Sequence, residues 1–224
     1  MLTQVIRFTL PSPSTISASG FSSLRRSASA AGAAAQYYGY TVPTRSYPLP
    51  REKHEICWVI EWPASADRGS VMAELKDLSA GDATSLLFQF ADSQASDLRQ
   101  AFEAPVCEFA CISISSDAPL EDSALQTSMH KTYTDTYKIR GFTGGHWSYA
   151  SNTNETHGVP SDVVPEPRLA EGDRRLGVYF LGWESIELHE DGTGTPEFSE
   201  EIDKLRPYFG PGTGAWYAIL RKHQ

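Results

Sequence analysis

The C-terminal stretch 176–224, LGVYFLGWESIELHEDGTGTPEFSEEIDKLRPYFGPGTGAWYAILRKHQ, decides the fold. Large apolar side chains fall on both faces of its first segment, 176–184, so the pattern predicts a strand that is buried on both sides. A second strand is predicted at 215–221, and a helix is predicted between the two strands at 195–209. The chain therefore closes with a β-α-β unit whose helix covers one face of a sheet.

The sequence marks both ends of this helix. Thr195 is a suitable N-cap, and Pro196 is favoured at the first helical position. Gly210 and Pro211 end the helix. Its apolar side chains recur at helical spacing and form one stripe, which consists of Phe198, Ile202, Leu205 and Phe209.

Three features of this stretch resemble a known superfamily: GWES on the strand (182–185), a short turn that contains His189, and TPEF at the start of the helix (195–198). The resemblance is to the dimeric α+β barrel superfamily, which includes antibiotic-biosynthesis-monooxygenase-like and stress-responsive barrel proteins. It extends over nearly the whole chain and is greatest to two-repeat proteins from fungi. The resemblance implies a pocket between the helices and the sheet of each repeat. It does not specify a reaction, because the superfamily contains oxygenases, cyclases, lyases, isomerases and haem-handling enzymes.

The rest of the chain predicts two repeats of one unit. Residues 1–93 follow the order β-α-β-β-α-β of a ferredoxin-like unit, residues 94–105 form a connecting helix, and residues 106–224 repeat the order with a long loop at 152–175. In the first repeat the predicted strands are 3–10, 36–42, 55–62 and 84–90, and the helices are 17–31 and 70–78. In the second repeat the predicted strands are 106–114, 146–151, 176–184 and 215–221, and the helices are 123–139 and 195–209.

Each repeat would leave one apolar face of its sheet without a helix layer. We therefore predict an α+β protein whose two ferredoxin-like repeats pack sheet to sheet as an intramolecular pseudo-dimeric barrel. Such a chain is either a monomer with an internal pseudo-two-fold axis or a weak homodimer. The loop at 152–175 is rich in proline and glycine and lacks apolar periodicity, so it is either a lid or a surface insertion.

Composition and charge exclude several classes of partner. The formal net charge is −9, and the basic residues form no long run, which argues against nucleic acid and anionic membrane surfaces. No apolar run approaches the 18 residues of a membrane span. The three cysteines are predicted to be buried, reduced thiols, as expected in the cytoplasm. The segment before Glu52 has no acidic residue and resembles a mitochondrial transit peptide, which leaves a mitochondrial location as the alternative.

The predicted helix 123–139 supplies the main catalytic candidates. His130, Tyr133 and Tyr137 lie at i, i+3 and i+7, beside the packing stripe, and are expected to edge one cavity. Histidine exchanges a proton near neutral pH, and a phenol can stabilise a developing oxyanion. We assign His130 as general base and the two tyrosines as orienting groups, the alternative being a surface histidine beside core aromatics. The resemblance supports the assignment, since histidine–tyrosine pairs serve as acid–base sets in some cyclases of the superfamily.

Further candidates lie at two other places in the sequence. One group follows Gly144 and Gly145, and the other lies near the predicted strand 55–62 of the first repeat. His146 is the fourth catalytic candidate, at a strand start near a pocket mouth, or else a hairpin-edge residue. Glu61 is expected to be either solvated or an acid with a perturbed pKa. The candidate substrate-binding residues are Trp147, Tyr149 and Trp183 in the second repeat and Tyr38, His54 and Trp58 in the first. No metal site is predicted, because the spacing of histidine and cysteine matches no ligand motif.

These residues predict a cofactor-independent enzyme for a small aromatic or polyketide-like molecule in secondary metabolism. The predicted reaction is of the cyclase, isomerase, dehydratase or lyase type. A non-catalytic or stress-responsive barrel that binds a small apolar molecule is the first alternative. A cofactor-free monooxygenase is the second, and haem remains open because no axial histidine can be selected from the sequence.

Overall fold

The structure is a computed structural model that describes residues 1–43, 54–64, 66–163 and 166–224. Its nine strands are β1 (Leu2–Phe8), β2 (Ala35–Pro43), β3 (Ile56–Trp62), β4 (Thr84–Gln89), β5 (Val106–Ser113), β6 (Phe142–Tyr149), β7 (Val159–Pro160), β8 (Leu176–Trp183) and β9 (Gly214–Lys222). Its α-helices are α1 (Ser19–Ala30), α2 (Gly69–Leu78), α3 (Ala95–Glu103), α4 (Ser123–Thr136), α5 (Ile186–Thr193) and α6 (Pro196–Leu205).

The strand order β6-β8-β5-β9-β2-β3-β1-β4-β7 contains one four-strand arrangement twice. In the first repeat the sheet runs β4-β1-β3-β2, and in the second it runs β9-β5-β8-β6, so the strands of each repeat occur in the spatial order fourth, first, third, second. All the pairs are antiparallel. The predicted α+β fold with two ferredoxin-like units is confirmed.

The two repeats are joined edge to edge by hydrogen bonds between β2 and β9. Gly39 lies in this junction opposite Leu220. A Cβ at position 39 would come within 1.8 Å of the carbonyl oxygen of Ile219, so the strands can approach only where residue 39 has no side chain. The strand pairing makes one continuous sheet, and the predicted sheet-to-sheet packing takes the form of a barrel wall that both repeats share.

The opposite edges of the repeats meet where the chain leaves β6. Ala150 forms a bridge with Phe88 of β4, and the backbone N–H of Ser151 donates to the carbonyl oxygen of Leu87 at 2.7 Å. Asn152 continues the junction with its buried side-chain amide, which accepts from the N–H of Leu87 at 3.0 Å and donates to a carbonyl oxygen of β4 at 3.1 Å. These contacts close the curled sheet around a common interior.

The interior of the barrel is an apolar core to which both repeats contribute. Phe180 on β8 contacts four other phenylalanine rings, with centroid distances between 4.9 and 5.8 Å. These rings belong to Phe88, Phe90, Phe102 and Phe109, which come from both repeats and from α3. The strand β8 is buried on both faces along its whole length, as its composition predicts.

Helices cover the outer face of the sheet in both repeats. In the first repeat, α1 and α2 pack side chains such as Phe21 and Leu75 against the sheet. In the second repeat, α4 and α6 do the same with Met129 and Leu205. The chain therefore has three apolar clusters, of which the central one lies inside the barrel and the other two lie under the helix layers.

Several predicted boundaries differ from the structure. The predicted helix 195–209 ends as an α-helix at Leu205 and continues only as a 3-10 turn, because Pro207 has no N–H to continue the helical hydrogen bonds. The predicted helix 123–139 ends at Thr136. The strand predicted at 146–151 begins at Phe142 and includes both glycines that were interpreted as a turn. The predicted turn around His189 is the helix α5.

The loop at 152–175 is a packed connection between the repeats. Its short strand β7 pairs with β4 of the first repeat. Arg68 lies 2.5 Å from Glu166, and Lys76 lies 2.6 Å from Asp162, so two ion pairs also join the loop to the first repeat. Of the two alternatives, these contacts favour an ordered insertion over a lid. No helix in the described part of the chain is both long enough and apolar enough to cross a membrane.

The connecting helix α3 packs its apolar face into the barrel interior, and an ion pair on its polar face attaches it to β3. Gly182 allows the approach, since a Cβ there would lie 2.9 Å from the Cα of Ala101. Arg99 donates two hydrogen bonds to Oε2 of Glu61, of which the shorter is 2.7 Å. Glu61 is fully buried, so the predicted solvated carboxylate is wrong. The guanidinium of Arg99 instead compensates a buried charge on β3.

We expect Arg99→Met to destabilise the fold by about 2–4 kcal/mol, because Glu61 would remain buried without a cation. The double variant Glu61→Gln with Arg99→Met should recover a substantial part of the loss, since it removes both charges. Urea unfolding measures these differences.

Arg206→Met is the control for this prediction. Arg206 pairs with Asp203 on the surface, where both side chains are more than half exposed, so its loss should cost about 0.5 kcal/mol or less. Equal losses for the Arg99 and Arg206 variants would contradict the assignment of the Glu61 pair as an anchor of the connecting helix.

Candidate functional site

A cavity of about 640 Å³ lies between the helices and the sheet of the second repeat. We call it the inner cavity. Its floor is formed by β5 and β9, and its walls are formed by α5 and α6 with the turns that follow them. The residues that line it include Glu108, Cys111, His189, Phe198, Ile202 and Tyr217. The position agrees with the pocket that the superfamily resemblance implies for this repeat.

Glu108 places a carboxylate in the middle of this floor. Its oxygen Oε2 accepts a hydrogen bond from Nε1 of Trp183 at 3.0 Å and lies 3.1 Å from Nε2 of His189. The other oxygen, Oε1, accepts no hydrogen bond within the described residues. Glu108 is almost completely buried and nevertheless lines the cavity, so Oε1 is the atom that can receive a ligand proton.

His189 is held by partners on both ring nitrogens. The hydroxyl of Tyr217 lies 2.6 Å from Nδ1, opposite the contact between Nε2 and Glu108. Since a carboxylate only accepts, Nε2 donates to Glu108, and Nδ1 shares a hydrogen bond with the hydroxyl of Tyr217. The indole of Trp183 packs on the imidazole with centroids 4.6 Å apart. His189 therefore orients Glu108 and leaves neither ring nitrogen directed freely at the cavity.

The pseudo-symmetry of the repeats shows that the carboxylate is specific to the second one. Trp62 faces Leu2 in the first repeat, as Trp183 faces Val106 in the second. Gln4 follows Leu2 by two residues on β1, and Glu108 follows Val106 by two residues on β5. Trp62 donates to Oε1 of Gln4 at 2.9 Å, which is the same contact as that between Trp183 and Glu108. A neutral amide thus occupies the position that holds an acid in the second repeat.

The neighbours of these two positions differ in the same way. Gln4 faces Leu87 across the strand pair, whereas Glu108 faces Tyr217. The amide of Gln4 contacts Sδ of Met72 on α2 at 3.5 Å, and the residues described between β3 and α2 form no helix that corresponds to α5. The described part of the first repeat therefore offers an apolar counterpart of the site, without the imidazole or the phenol.

The sequence positions α5 and α6 through their first residues. Ser185 caps α5, because its hydroxyl accepts from the N–H of Leu188 at 3.2 Å. Thr195 caps α6 by accepting from the N–H of Phe198 at 3.4 Å, and Pro196 follows as predicted. The two adjacent caps fix the angle at which the helices cross the sheet. They hold His189 above Glu108.

The predicted apolar stripe of α6 explains why a cavity remains under this helix. Leu205 is fully buried, but Phe198, Ile202 and Phe209 are only half-buried. These three residues line the inner cavity, so their apolar surface faces an open volume. Burial raises the pKa of the Cys111 thiol, also on the lining, to about 12, so this thiol stays protonated at neutral pH.

A second cavity of about 560 Å³ lies on the other side of α5. We call it the outer cavity. It is bounded by the last turns of α4, by Leu188 and Asp191 of α5, and by Thr195 and Phe198 at the start of α6. Arg140 lies at its edge. Phe198 is the residue that lines both cavities.

The four predicted catalytic residues lie together, outside both cavities. Tyr133 contacts the rings of His130, Tyr137 and His146 at centroid distances of 6.1, 5.6 and 4.9 Å. The hydroxyls of the two tyrosines are 3.1 Å apart, and burial raises the pKa of Tyr133. His130 is exposed, and Tyr137 is 51% exposed. The prediction that this line edges the cavity is wrong, because α4 turns its other side, with Thr132 and Thr136, to the outer cavity.

His146 already uses both of its ring nitrogens. Nε2 lies 3.0 Å from the side-chain nitrogen of Gln94, whose oxygen accepts from the N–H of Ala91 at 2.8 Å. The amide nitrogen of Gln94 therefore donates to Nε2, and Nδ1 lies 2.9 Å from the backbone nitrogen and 3.0 Å from the carbonyl oxygen of Trp147. These contacts attach the start of the connecting segment, at Gln94, to β6.

The predicted substrate-binding residues of the second repeat divide into two groups. Trp183 lies beside Glu108 and His189, as described above. Trp147 and Tyr149 lie under α4 instead, where Trp147 stacks on Tyr179 and Gln126 donates to the hydroxyl of Tyr149 at 3.2 Å. Neither of these two lines the inner or the outer cavity.

The predicted residues of the first repeat pack under α1 or lie on the surface. Trp58 is fully buried and donates to Oε1 of Gln36 at 3.2 Å. Tyr38 is half-buried and packs on Phe21, with centroids 5.7 Å apart. His54 is exposed, has a φ of 63°, and contacts the ring of Tyr40. None of the predicted three lines the inner or the outer cavity.

The sequence analysis did not select Glu108 or Tyr217 and gave His189 no chemical role. One signal was available, since Glu108 is a charged residue in the middle of a strand with apolar neighbours on both sides. Within the described residues, no three histidine, cysteine, aspartate or glutamate side chains converge as metal ligands.

Comparison with known proteins gives similarity at the level of the fold. No family model matches the chain, and no curated protein matches it. Two solved structures named "putative monooxygenase" are similar over 100% of this chain: one from Fusobacterium nucleatum subsp. nucleatum (TM-score 0.55, 8% identity, 92% of that chain) and one from Lactobacillus acidophilus (TM-score 0.51, 6% identity, 95% of that chain). An anthrone oxidase-like protein is similar over 99% of this chain and 92% of its own, with a TM-score of 0.50 and 9% identity.

These similarities cover both repeats and agree with the duplicated strand order. Together with that order, they show that the chain has a dimeric α+β barrel fold, with both halves of the barrel in one polypeptide.

Proposed function

We propose that the chain is a small-molecule enzyme that transfers a proton in the inner cavity, with Glu108 as the catalytic base. The observation that carries the proposal is the carboxylate of Glu108 on the cavity floor, with Oε2 fixed by Trp183 and His189 and Oε1 unoccupied. A buried acid that only oriented other groups would not need an open oxygen on a cavity wall. The neutral Gln4 at the equivalent place shows that the fold itself does not require an acid there.

The surroundings of Glu108 suit a general base. Two N–H donors hold one oxygen, so the carboxylate is fixed in orientation and its other oxygen is left for a ligand. Oε1 takes a proton from a C–H or O–H group of the ligand, and the electron pair of the broken bond remains on the ligand as an enolate or a phenolate. His189 and Tyr217 also line the cavity, and we treat them as positioning residues, because the ring nitrogens of His189 are engaged by Glu108 and by the hydroxyl of Tyr217.

The cavity favours a flat, largely apolar molecule with one acidic proton. A volume of about 640 Å³ accommodates two or three fused rings, and the half-buried Phe198, Ile202 and Phe209 offer apolar contacts. Return of the proton to another atom of an aromatic or polyketide-like substrate gives an isomerisation, and loss of a leaving group gives a dehydration or lyase reaction. Attack of the carbanion within the molecule gives a cyclisation.

Reaction of the carbanion with dioxygen gives a cofactor-free oxygenation. For anthrone the overall reaction is anthrone plus O2 to anthraquinone plus water. Anthrone is a useful first substrate because its methylene group is acidified by two aromatic rings and a ketone. A further reason for this choice is that one structure of similar fold is of an anthrone oxidase-like protein.

The decisive experiment follows hydrogen–deuterium exchange at the anthrone methylene group in D2O without oxygen. We expect exchange faster than in buffer alone, which reports proton removal independently of any later step. Oxygen uptake measured in parallel separates oxygenation from isomerisation. Binding of anthrone without faster exchange would contradict the enzyme proposal and support a binding protein instead.

Glu108→Gln should lower the exchange rate by roughly a hundredfold or more, because an amide of the same size cannot take the proton. Binding of anthrone should change by less than about threefold, since the cavity keeps its shape. The matched control is Gln4→Met at the pseudo-equivalent position, which should leave the exchange rate per folded molecule unchanged. An active Glu108→Gln variant would exclude Glu108 as the base.

The cluster of His130, Tyr133, Tyr137 and His146 is the second candidate position for acid–base chemistry. It is favoured by the ring contacts that bring all four residues together. If Glu108 is the base, the double variant His130→Ala with His146→Ala should retain exchange within about threefold of the unchanged protein. If the folded double variant instead loses as much exchange rate as Glu108→Gln does, this cluster is the site of proton transfer.

A further inference from the structure

Helix α5 separates the two cavities of the second repeat. His189 and Thr193 line the inner cavity from one side of the helix, and Leu188 and Asp191 line the outer cavity from the other side. Phe198 borders both cavities at the point where α6 begins. The half-buried side chain of Phe198 therefore borders both volumes, of about 640 and 560 Å³.

The two cavities differ in chemical character. The inner cavity has the buried acid Glu108 on its floor, with apolar side chains and also Glu190 and Arg206 around it, whereas threonines 132, 136 and 195 line the outer cavity. Arg140 and Asp191 add opposite charges there, and neither side chain makes a hydrogen bond or an ion pair with the described residues. Such a surface suits a neutral chain that carries hydroxyl groups, because these groups can both donate to Asp191 and accept from Arg140.

We propose that the outer cavity is a second subsite of the same binding site, and that Phe198 determines how long a ligand the site accepts. The ligand is then an elongated molecule with an aromatic end in the inner cavity and a hydroxylated chain that extends past Phe198. This inference rests on the proposed binding of an aromatic molecule next to Glu108. It adds the substrate class, which is an aromatic compound with a polar extension.

The position of Phe198 agrees with this role. Its backbone N–H is fixed by the cap at Thr195, so the Cα cannot move without breaking the start of α6. Its ring is only half-buried, because each side of it borders a cavity. Removal of the ring should connect the two volumes while the helix keeps its place.

The test uses two fluorescent probes with the same ring system. The short probe is 2-naphthol, and the long probe is 7-(6-hydroxyhexyloxy)-2-naphthol, which keeps the phenol and adds a hydroxyl-ended chain. We expect Phe198→Ala to bind the long probe about tenfold more tightly than the unchanged protein does. Its affinity for the short probe should change by less than about threefold. Fluorescence titration measures both constants, and thermal unfolding confirms that the variant is folded.

Two controls test whether the effect belongs to the passage between the cavities. Ile202→Ala removes apolar volume from the inner cavity alone, so it should change both affinities by the same factor. Leu188→Ala alters only the outer cavity. In the Phe198→Ala background it should therefore lower the affinity for the long probe and leave the affinity for the short probe unchanged. The proposal is overturned if Phe198→Ala gives no gain for the long probe, or if Ile202→Ala gives the same selective gain.

The outcomes also separate this inference from the proposed function. If 2-naphthol binds and Phe198→Ala leaves the long probe unaffected, the subsite proposal fails and the proposed function stands. If 2-naphthol does not bind to the unchanged protein, the inner cavity is not an aromatic site, and both proposals fail together.

Discussion

The pairing of β2 with β9 is the constraint on which the rest of this structure depends. Each repeat has a helix layer on one face of its sheet, and only the other repeat can cover the opposite face. Pairing the two edge strands places both uncovered faces in one interior. There Phe180 contacts aromatic rings from both repeats and from α3. It also removes exposed strand edges. The close approach at Gly39 fixes how tightly the two edges can meet.

Because the interior of the barrel is filled with side chains, ligand space is left under the helices. The two repeats use this space differently. In the first repeat, Gln4, Leu87 and Met72 form a neutral, packed arrangement. In the second, Glu108 and Tyr217 occupy the corresponding strand positions, and the additional helix α5 brings His189 above them. Covalent fusion allows such asymmetry, since one repeat can keep the barrel closed while the other accommodates a buried acid. A symmetric homodimer would carry the same side chains in both halves.

The sequence predicted what depends on short-range patterns. The buried strand β8, the cap at Thr195 with Pro196, and the order of elements in both repeats follow from periodicity and capping, which act between residues close in the chain. The site depends on contacts between distant residues. Glu108 meets His189 and Trp183 across gaps of 81 and 75 residues. Nothing in the local pattern of α4 indicates which of its sides faces a cavity, so His130 and Tyr137 were selected, although the opposite side of α4 faces the outer cavity.

Helix α5 shows why a short insertion can alter the chemistry of such a fold. The sequence around His189 was interpreted as a turn, because Gly192 and Gly194 and the lack of a clear apolar stripe hide the helix. Yet Ser185 and Thr195 cap two helices in succession, and the first of them brings an imidazole to a carboxylate that would otherwise be buried without a partner beyond Trp183. The same helix also divides the space under the helix layer into two cavities. A single helix of eight residues thus supplies both the orientation of the proposed base and the boundary of the proposed binding site.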